Sequence, residues 1–481
     1  MGGKGAILLV LAFSTLFLMF GHRYNWLSTD SINNFSSYYS VTKAHNIAVS
    51  AANMAASEVF MDKSWDEGYD NVPFDGGSYT VYVSNPTAST TTEVSSNSGR
   101  RGGSSSSSSS KIAICHIPPG NPSARKTLYL PAAAIAAHLA HGDYLETCDS
   151  EPVIDDLVTI VAQGTFGDTT ITVYVDLRGS NFAKFGNFYK TVTAYPATGD
   201  TFHGPFHVND KLTTYGTPVF WGKVTAKDGL KKTGSPPKPE FNGGFETGVD
   251  IPLEFDTTGM RAAASSNGRV FKDTTNTNKT TSVSFNFLAD GRVTYSQKIG
   301  TGAWSAPKTT PLSTLAPGGV IFVERGNVYV EGTLKGRATI VASKMGNSTC
   351  GNIYQTDDLK YNVDPKINSA STDMLGLVAE QNIRLQYNTD TRGGDIVTMA
   401  SMFALNGDIG PETALIDYPT LNRWIITGGL IANGIGVTAR YSGSVPYKGY
   451  KFVHHFDDRF MTSVPPYFPH TKNFEVVSWY E

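Results

Sequence analysis

The chain has 481 residues, enough for about three units of ordinary domain size, although elongated β-folds can absorb more. Its 39 Lys and Arg against 42 Asp and Glu leave a net charge of −3, so there is no basic excess to attract a polyanion and nucleic acid is excluded as a partner. Charged residues are 17% of the chain while Gly numbers 48, Tyr 23 and Phe 26, a balance that suits a turn-rich, exported β protein and points to no reaction. Three Cys cannot staple a chain this long, so the fold must rest on burial and backbone pairing.

Residues 6–20 are apolar except for Ser14 and Thr15, and are followed by Gly21-His22-Arg23. As a helix at 1.5 Å per residue, this run falls somewhat short of a bilayer core unless flanking residues help. A secretory signal would end in small residues of the A-x-A kind, whereas this run ends Leu18-Met19-Phe20-Gly21, so the segment is expected to be retained. Residues 31–61 contain no Pro or Gly, and Ile47, Ala51, Met54, Ala55, Ala56, Val59 and Phe60 recur at helical spacing. The two stretches together predict one helix over residues 1–62. At about 90 Å it is too long for a single globular core to cover, and half of it needs another partner.

This shape resembles the type IV pilins, particularly the PilX-like minor pilins, in which a Gly-terminated leader precedes an apolar helical stem. The resemblance implies that Gly5 ends the leader and Ala6 begins the mature chain. It also implies that the stem anchors in the inner membrane before assembly, then packs in a filament core. The sequence differs from most pilins in its very short leader and in Val10, where they carry a glutamate. A signal-anchor helix without a filament is the alternative reading.

Beyond the stem the period changes to two. Tyr79, Val81 and Val83 alternate with polar neighbours, and strand patterns return at residues 157–161 and 171–177 with Gly164, Gly167 and Asp168 supplying a hairpin turn. Segments 63–86 and 151–180 therefore predict a small antiparallel sheet. Residues 87–110 form a Ser/Thr-rich linker that buries too little apolar surface to offset its ordering entropy. PilX-like proteins follow a similar stem with a small sheet and a like hairpin, which implies that residues 111–149 are a module inserted into one strand connection.

That module carries Cys115-His116-Ile117-Pro118-Pro119-Gly120, a helical stretch over residues 131–143 with His138 and His141 three apart, and Cys148. Cys115, His116, His138, His141 and Cys148 offer enough thiolate and imidazole ligands for a tetrahedral Zn site. A Cys115 to Cys148 disulfide is the preferred reading in an oxidising compartment, and neither arrangement is the third possibility. The string resembles a small module of bacterial secreted and surface proteins, which implies export and no catalysis. No cofactor is expected beyond Zn under the metal reading.

From residue 181 to 481, short apolar runs such as 206–208, 219–224, 320–323, 338–341, 377–379 and 424–427 are separated by Gly and Asn. Such runs predict a right-handed parallel β-helix, each rung leaving an apolar edge for the next to cover, with an antiparallel excursion at about residues 261–308. Cys350 reads as a small apolar side chain in a turn. The C-terminal half resembles an uncharacterised family of bacterial envelope proteins that also begin with a pilin-like stem. The fold class is therefore expected to be mainly β, with a long N-terminal helix, a small antiparallel sheet and a parallel β-helix.

A catalytic β-helix would need paired carboxylates or an acidic cation cluster on one face. Asn388-Thr389-Asp390 with Asp395 resembles part of a pectin-hydrolase motif, but its companion elements are missing, and a solvated loop is the expectation. Asp357-Asp358, Asp408 and Asp457-Asp458 read as turn formers, and His454-His455 as structural. There is no Ser-His-Asp spacing, phosphate loop or HExxH. The expected protein is a non-enzymatic, membrane-anchored or filament-incorporated structural protein, exposed at the cell surface and displaying its β-helix for adhesion or assembly. Its partners would be the bacterial membrane or a pilus-like filament, further copies of itself, and a surface glycan or protein ligand. The alternatives are a surface carbohydrate-active enzyme and a surface metal-binding protein working through the inserted module.

Overall fold

The computed structural model describes residues 4–62, 65–84, 112–116, 126–130, 144–145, 157–255, 257–275, 279–443 and 445–481. The chain is mainly β, preceded by one long helix, Lys4–Met61, of 58 residues. It divides into two compact units. Met1–Arg178 and Phe474–Glu481 form the first, and Gly179–Asn473 forms the second. The second is thus an insertion within the chain of the first.

In the first unit the helix lies on a five-stranded sheet. The strands, in spatial order, are Tyr69–Phe74, Gly77–Ser84, Leu157–Phe166, Thr169–Asn181 and His470–Tyr480. The first four pair antiparallel, with the hairpin register Phe166↔Thr169 at the predicted Gly167-Asp168 turn. The fifth strand was read from the sequence as the end of the 181–481 segment, yet it forms an edge of this sheet. Its Phe474 is buried with its ring 6.0 Å from that of Phe60, and Tyr480 stacks on Tyr174 at 4.9 Å.

Helix and sheet meet through small residues. Ala48, Ala51, Ala52 and Ala55 are fully buried together with Ile47 and Val59, against Val81, Ile160, Val173 and Val175. Alanine suits this face because it favours helix and lets the backbone approach the sheet closely. Lys43 Nζ on Asp75 and His45 Nε2 on Glu481 Oε1, each at 2.6 Å, lie at the rim of the contact. Within residues 111–149, Ile112–His116 pairs antiparallel with Lys126–Leu130 and with Tyr144–Leu145.

The second unit is built on parallel pairing. One ladder runs through ten strands, in the spatial order Arg269–Phe271, Val320–Val323, Arg337–Ala342, Met374–Ala379, Ser401–Pro411, Leu430–Ile435, Asn187–Thr191, Phe206–Val208, Val224–Ala226 and Phe245–Thr247. This order is not the chain order. The chain enters mid-ladder, winds to one end at Thr247, passes to the opposite end at Arg269, and winds back until Leu430 pairs with Asn187.

Both faces of this ladder are covered, which is why its strands read as continuous apolar runs rather than alternating ones. One row, Val323, Ala342, Ala379, Ala404, Ala432 and Tyr189, faces the interior. The neighbouring row, Phe322, Val341, Val378, Phe403, Ile431 and Phe188, is sealed by Met260, Ala264, Phe460 and Phe468. The first two of these sealing residues belong to a helix, Thr257–Asn267, which lies where the sequence predicts only irregular or antiparallel chain.

Further parallel ladders run through the same unit. Thr281–Phe287, Gly326–Leu334, Ile353–Tyr361 and Ile383–Leu385 pair in parallel, as do Ile396–Met399, Leu421–Thr427 and Val445–His455. Like residues stack along the coils. Phe202, Phe220 and Phe241 lie face to face at 5.0 and 5.1 Å, and Asn327, Asn352 and Asn382 form a hydrogen-bonded row with amide contacts of 3.1 Å. At the Arg269 end, Arg292–Ile299 pairs antiparallel with Thr281–Phe287 and with Lys308–Pro311, inside the expected excursion.

Candidate functional site

The strongest functional feature is the contrast between the two halves of the long helix. Its C-terminal half has a fully buried face. Its N-terminal half is uncovered: Ile7, Leu8, Leu9, Val10, Leu11 and Phe13 are exposed, Phe17 is 73% exposed and Met19 74%. These residues are nearly consecutive and so surround the helix. A surface helix of a globular protein would instead carry one apolar stripe. A rod that is apolar on every side requires apolar surroundings.

Two hydroxyls of the helix donate within it, those of Thr15 and Thr29 to the carbonyls of Ala12 and Asn25 at 2.9 Å. Among the described residues this is the one helix long and apolar enough to cross a membrane. Gly5 and Ala6 lie in its first turn.

Of the predicted metal or disulfide residues, Cys115 and His116 lie on the strand Ile112–His116, with Cys115 opposite Thr127 and Tyr144 in backbone register. His138, His141 and Cys148 lie outside the described residues, as does the Cys115 side chain. Among the described residues no group of three or more His, Cys, Asp or Glu could hold a metal ion. Cys350 is buried, and burial pushes its thiol pKa up.

The acidic residues considered as catalytic candidates are distributed among structural roles. Asp395 pairs with Arg423, whose guanidinium holds its carboxyl below the usual range. Asp408 pairs with Arg384, and Asp358 with Lys360 at 2.7 Å. The buried Asp457 takes both Arg459 Nε at 2.9 Å and Nη2 at 2.7 Å. Asp357 accepts the Asp358 amide, and the Asp390 amide donates to Asn388 Oδ1 as in an Asx turn. His454 is buried with its pKa lowered to about 3 by desolvation, and its Nε2 donates to the Gly428 carbonyl at 2.9 Å. It is a neutral structural imidazole.

Two concavities open on the second unit. A polar groove of about 810 Å³ runs beside Asn352 and Asn382, with the Arg384 and Asp408 pair in its lining. An apolar cavity of about 350 Å³ is lined from the beginning and the end of that unit, by residues such as Tyr195, Asp200, Trp424 and Leu430. Periodicity could not reveal it, because its lining comes from two distant segments, within residues 189–215 and 409–452.

No protein-family model matches the chain, and no curated protein matches it. Among solved structures, the competence-associated pilin ComZ from Thermus thermophilus overlaps it at 14% identity and a TM-score of 0.32, covering 92% of this chain and 97% of that one. An overlap at that score and identity establishes neither a shared fold nor a shared function.

Proposed function

We propose that the chain is a pilin-like envelope protein. Its stem anchors in the inner membrane, is processed between Gly5 and Ala6, and then packs with other stems in a filament core. The observation that carries this reading is the single helix whose residues 7–20 are largely apolar and uncovered on all sides and whose C-terminal half is fixed to its own sheet. A membrane or a bundle of like stems would supply the missing apolar surroundings.

The second unit, in this reading, is a right-handed parallel β-helix displayed outside the cytoplasm for adhesion or assembly. The several parallel ladders of this unit, the Asn row and the Phe stack support a β-helix. The right hand is the sense that nearly all parallel crossovers take. The polar groove beside the Asn row is the surface offered to a glycan or protein ligand. The role is structural rather than catalytic, in keeping with the ion-paired state of Asp395, Asp408 and Asp457.

Fractionation of cells expressing the full chain tests the anchor. The protein is expected in membrane or sheared-filament fractions and to resist alkaline carbonate, and a variant lacking residues 6–35 is expected to be released as a soluble protein. A full chain found as a soluble monomer contradicts the reading.

A further inference from the structure

Stacking in the second unit lapses at one seam. Where the last coil meets the first, pairing between Leu430–Ile435 and Asn187–Thr191 ends at Gly434↔Thr191, and Thr193 Oγ1 makes a last contact to the Ile435 carbonyl at 2.9 Å. The chain then turns through Ala194-Tyr195-Pro196. Among the described residues, no backbone pairing joins Val445–His455 to Thr201–Phe202, and rings approach across this seam at Phe202 and Phe452, 6.1 Å apart, and at His203 and His455, 5.9 Å apart. The cavity of about 350 Å³ occupies this gap.

Its depth is apolar and its entrance aromatic. Trp424, Leu430, Phe202 and Ile409 are buried residues of the unit's core, and Trp424 commits its indole N–H to Thr398 Oγ1 at 2.7 Å, leaving only carbon for an occupant. Tyr195, Tyr215 and Tyr441 stand exposed around the opening. The sole charged residue of the lining is Asp200. Its Oδ2 accepts the Ala197 amide at 2.7 Å, and burial raises its pKa to about 6 against the opposing effect of Lys451, so it is a carboxylate at neutral pH.

One carboxylate at the side of an aromatic slot complements a cation on an apolar body: the charge is matched by the carboxylate and by the negative faces of the rings. A sugar would leave most of its hydroxyls unpaired against Trp424, Leu430 and Ile409. An anion would meet Asp200. From this geometry we infer that the cavity binds a small organic ammonium ion, its charged nitrogen at Asp200 and its single-ring or branched aliphatic body against Trp424 and Leu430. This site is independent of the stem and stands whether or not the protein enters a filament.

Calorimetric titration of the full chain in lipid nanodiscs at pH 7.5 tests the assignment. Phenethylammonium is the probe, 2-phenylethanol the neutral counterpart, and empty nanodiscs the control for partitioning into lipid. Expected is one saturable site per chain, at least tenfold weaker for the alcohol and at least tenfold weaker in Asp200→Asn. Ala194→Trp, which fills the entrance, should abolish binding. Melting temperature shows whether each variant folds, and if Ala194→Trp does not, the shape-conserving Asp200→Asn decides. Absence of saturable binding, equal affinity in Asp200→Asn, or equal affinity for the alcohol each overturns the assignment.

Discussion

Gly164 faces the backbone of Ala48 so closely that a side-chain carbon built on it would stand 2.9 Å from the Ala48 Cα, and closer still to the Ala48 nitrogen and the Ala44 carbonyl oxygen. Backbone on backbone cannot yield as a side chain can. The stem therefore rests on its sheet at a point only glycine permits.

Gly164→Ala should accordingly lift the helix from the sheet and destabilise the first unit by about 1–3 kcal/mol, the usual range for overpacking. Gly21→Ala, on the uncovered half where nothing lies within 4 Å, should be neutral or slightly stabilising. Thermal melting together with protease sensitivity of residues 44–59 reads both effects. Equal behaviour of the two variants would refute this description of the contact.

The middle of the Asn row provides a second test. Asn352 donates through Nδ2 to Asn327 Oδ1 at 3.1 Å, and its Oδ1 accepts from Asn382 Nδ2 at 3.1 Å and from the Asn382 amide at 3.3 Å. Asn352→Ala should cost about 1–3 kcal/mol by leaving the Asn382 amide and Asn382 Nδ2 unpaired, while Asn327 Oδ1 keeps the Asn352 backbone amide at 3.0 Å. Combined with Asn382→Ala it should cost less than the sum of the single changes by about 0.5 kcal/mol or more, since both remove the bond from Asn382 Nδ2 to Asn352 Oδ1. Denaturant midpoints measure this, and strict additivity would speak against a coupled row.

Two buried groups give opposite responses to acid. His454 has a folded pKa of about 3, so below its ordinary 6.5 the unfolded chain takes up a proton that the folded chain refuses, and stability falls as pH falls. Asp200 has a folded pKa of about 6 against an ordinary 3.8, so between those values the folded chain holds the extra proton, and stability rises as pH falls. Relative to wild type, Asp200→Asn should lose more stability between pH 7 and pH 5, and His454→Gln less, each by roughly 1–2 kcal/mol. Melting curves at the two pH values decide it, and identical acid sensitivity of the three proteins would contradict the assignment of these groups.

How far the sequence disclosed this structure depends on the range of the interaction. The stem was legible because an unbroken helix over residues 31–61 is a local property, set by spacing and by the absence of Pro and Gly. The hairpin at Gly167-Asp168 was local in the same way. The edge strand His470–Tyr480 was not, since its alternation fits any half-buried strand and its partner Thr169–Asn181 lies some three hundred residues earlier. The pairing of Leu430 with Asn187 was equally hidden, because parallel strands expose like apolar edges and sequence does not order them. The helix Thr257–Asn267 escaped notice because its strong helix formers, residues 260–264, make a short run flanked by Thr, Gly, Ser and Asn, and burial of Met260 and Ala264 supports it. The cavity beside Asp200 depends on side chains from both chain ends of the unit, beyond the reach of any local pattern.

The central claim is that the uncovered apolar rod remains attached and begins at Ala6 in the mature protein. Mass spectrometry of the intact N-terminus, on protein recovered from membranes and from sheared surface filaments, tests it most directly. The predicted result is a chain starting at Ala6 in both fractions. A chain cut beyond Phe20, with the apolar segment gone, would contradict it.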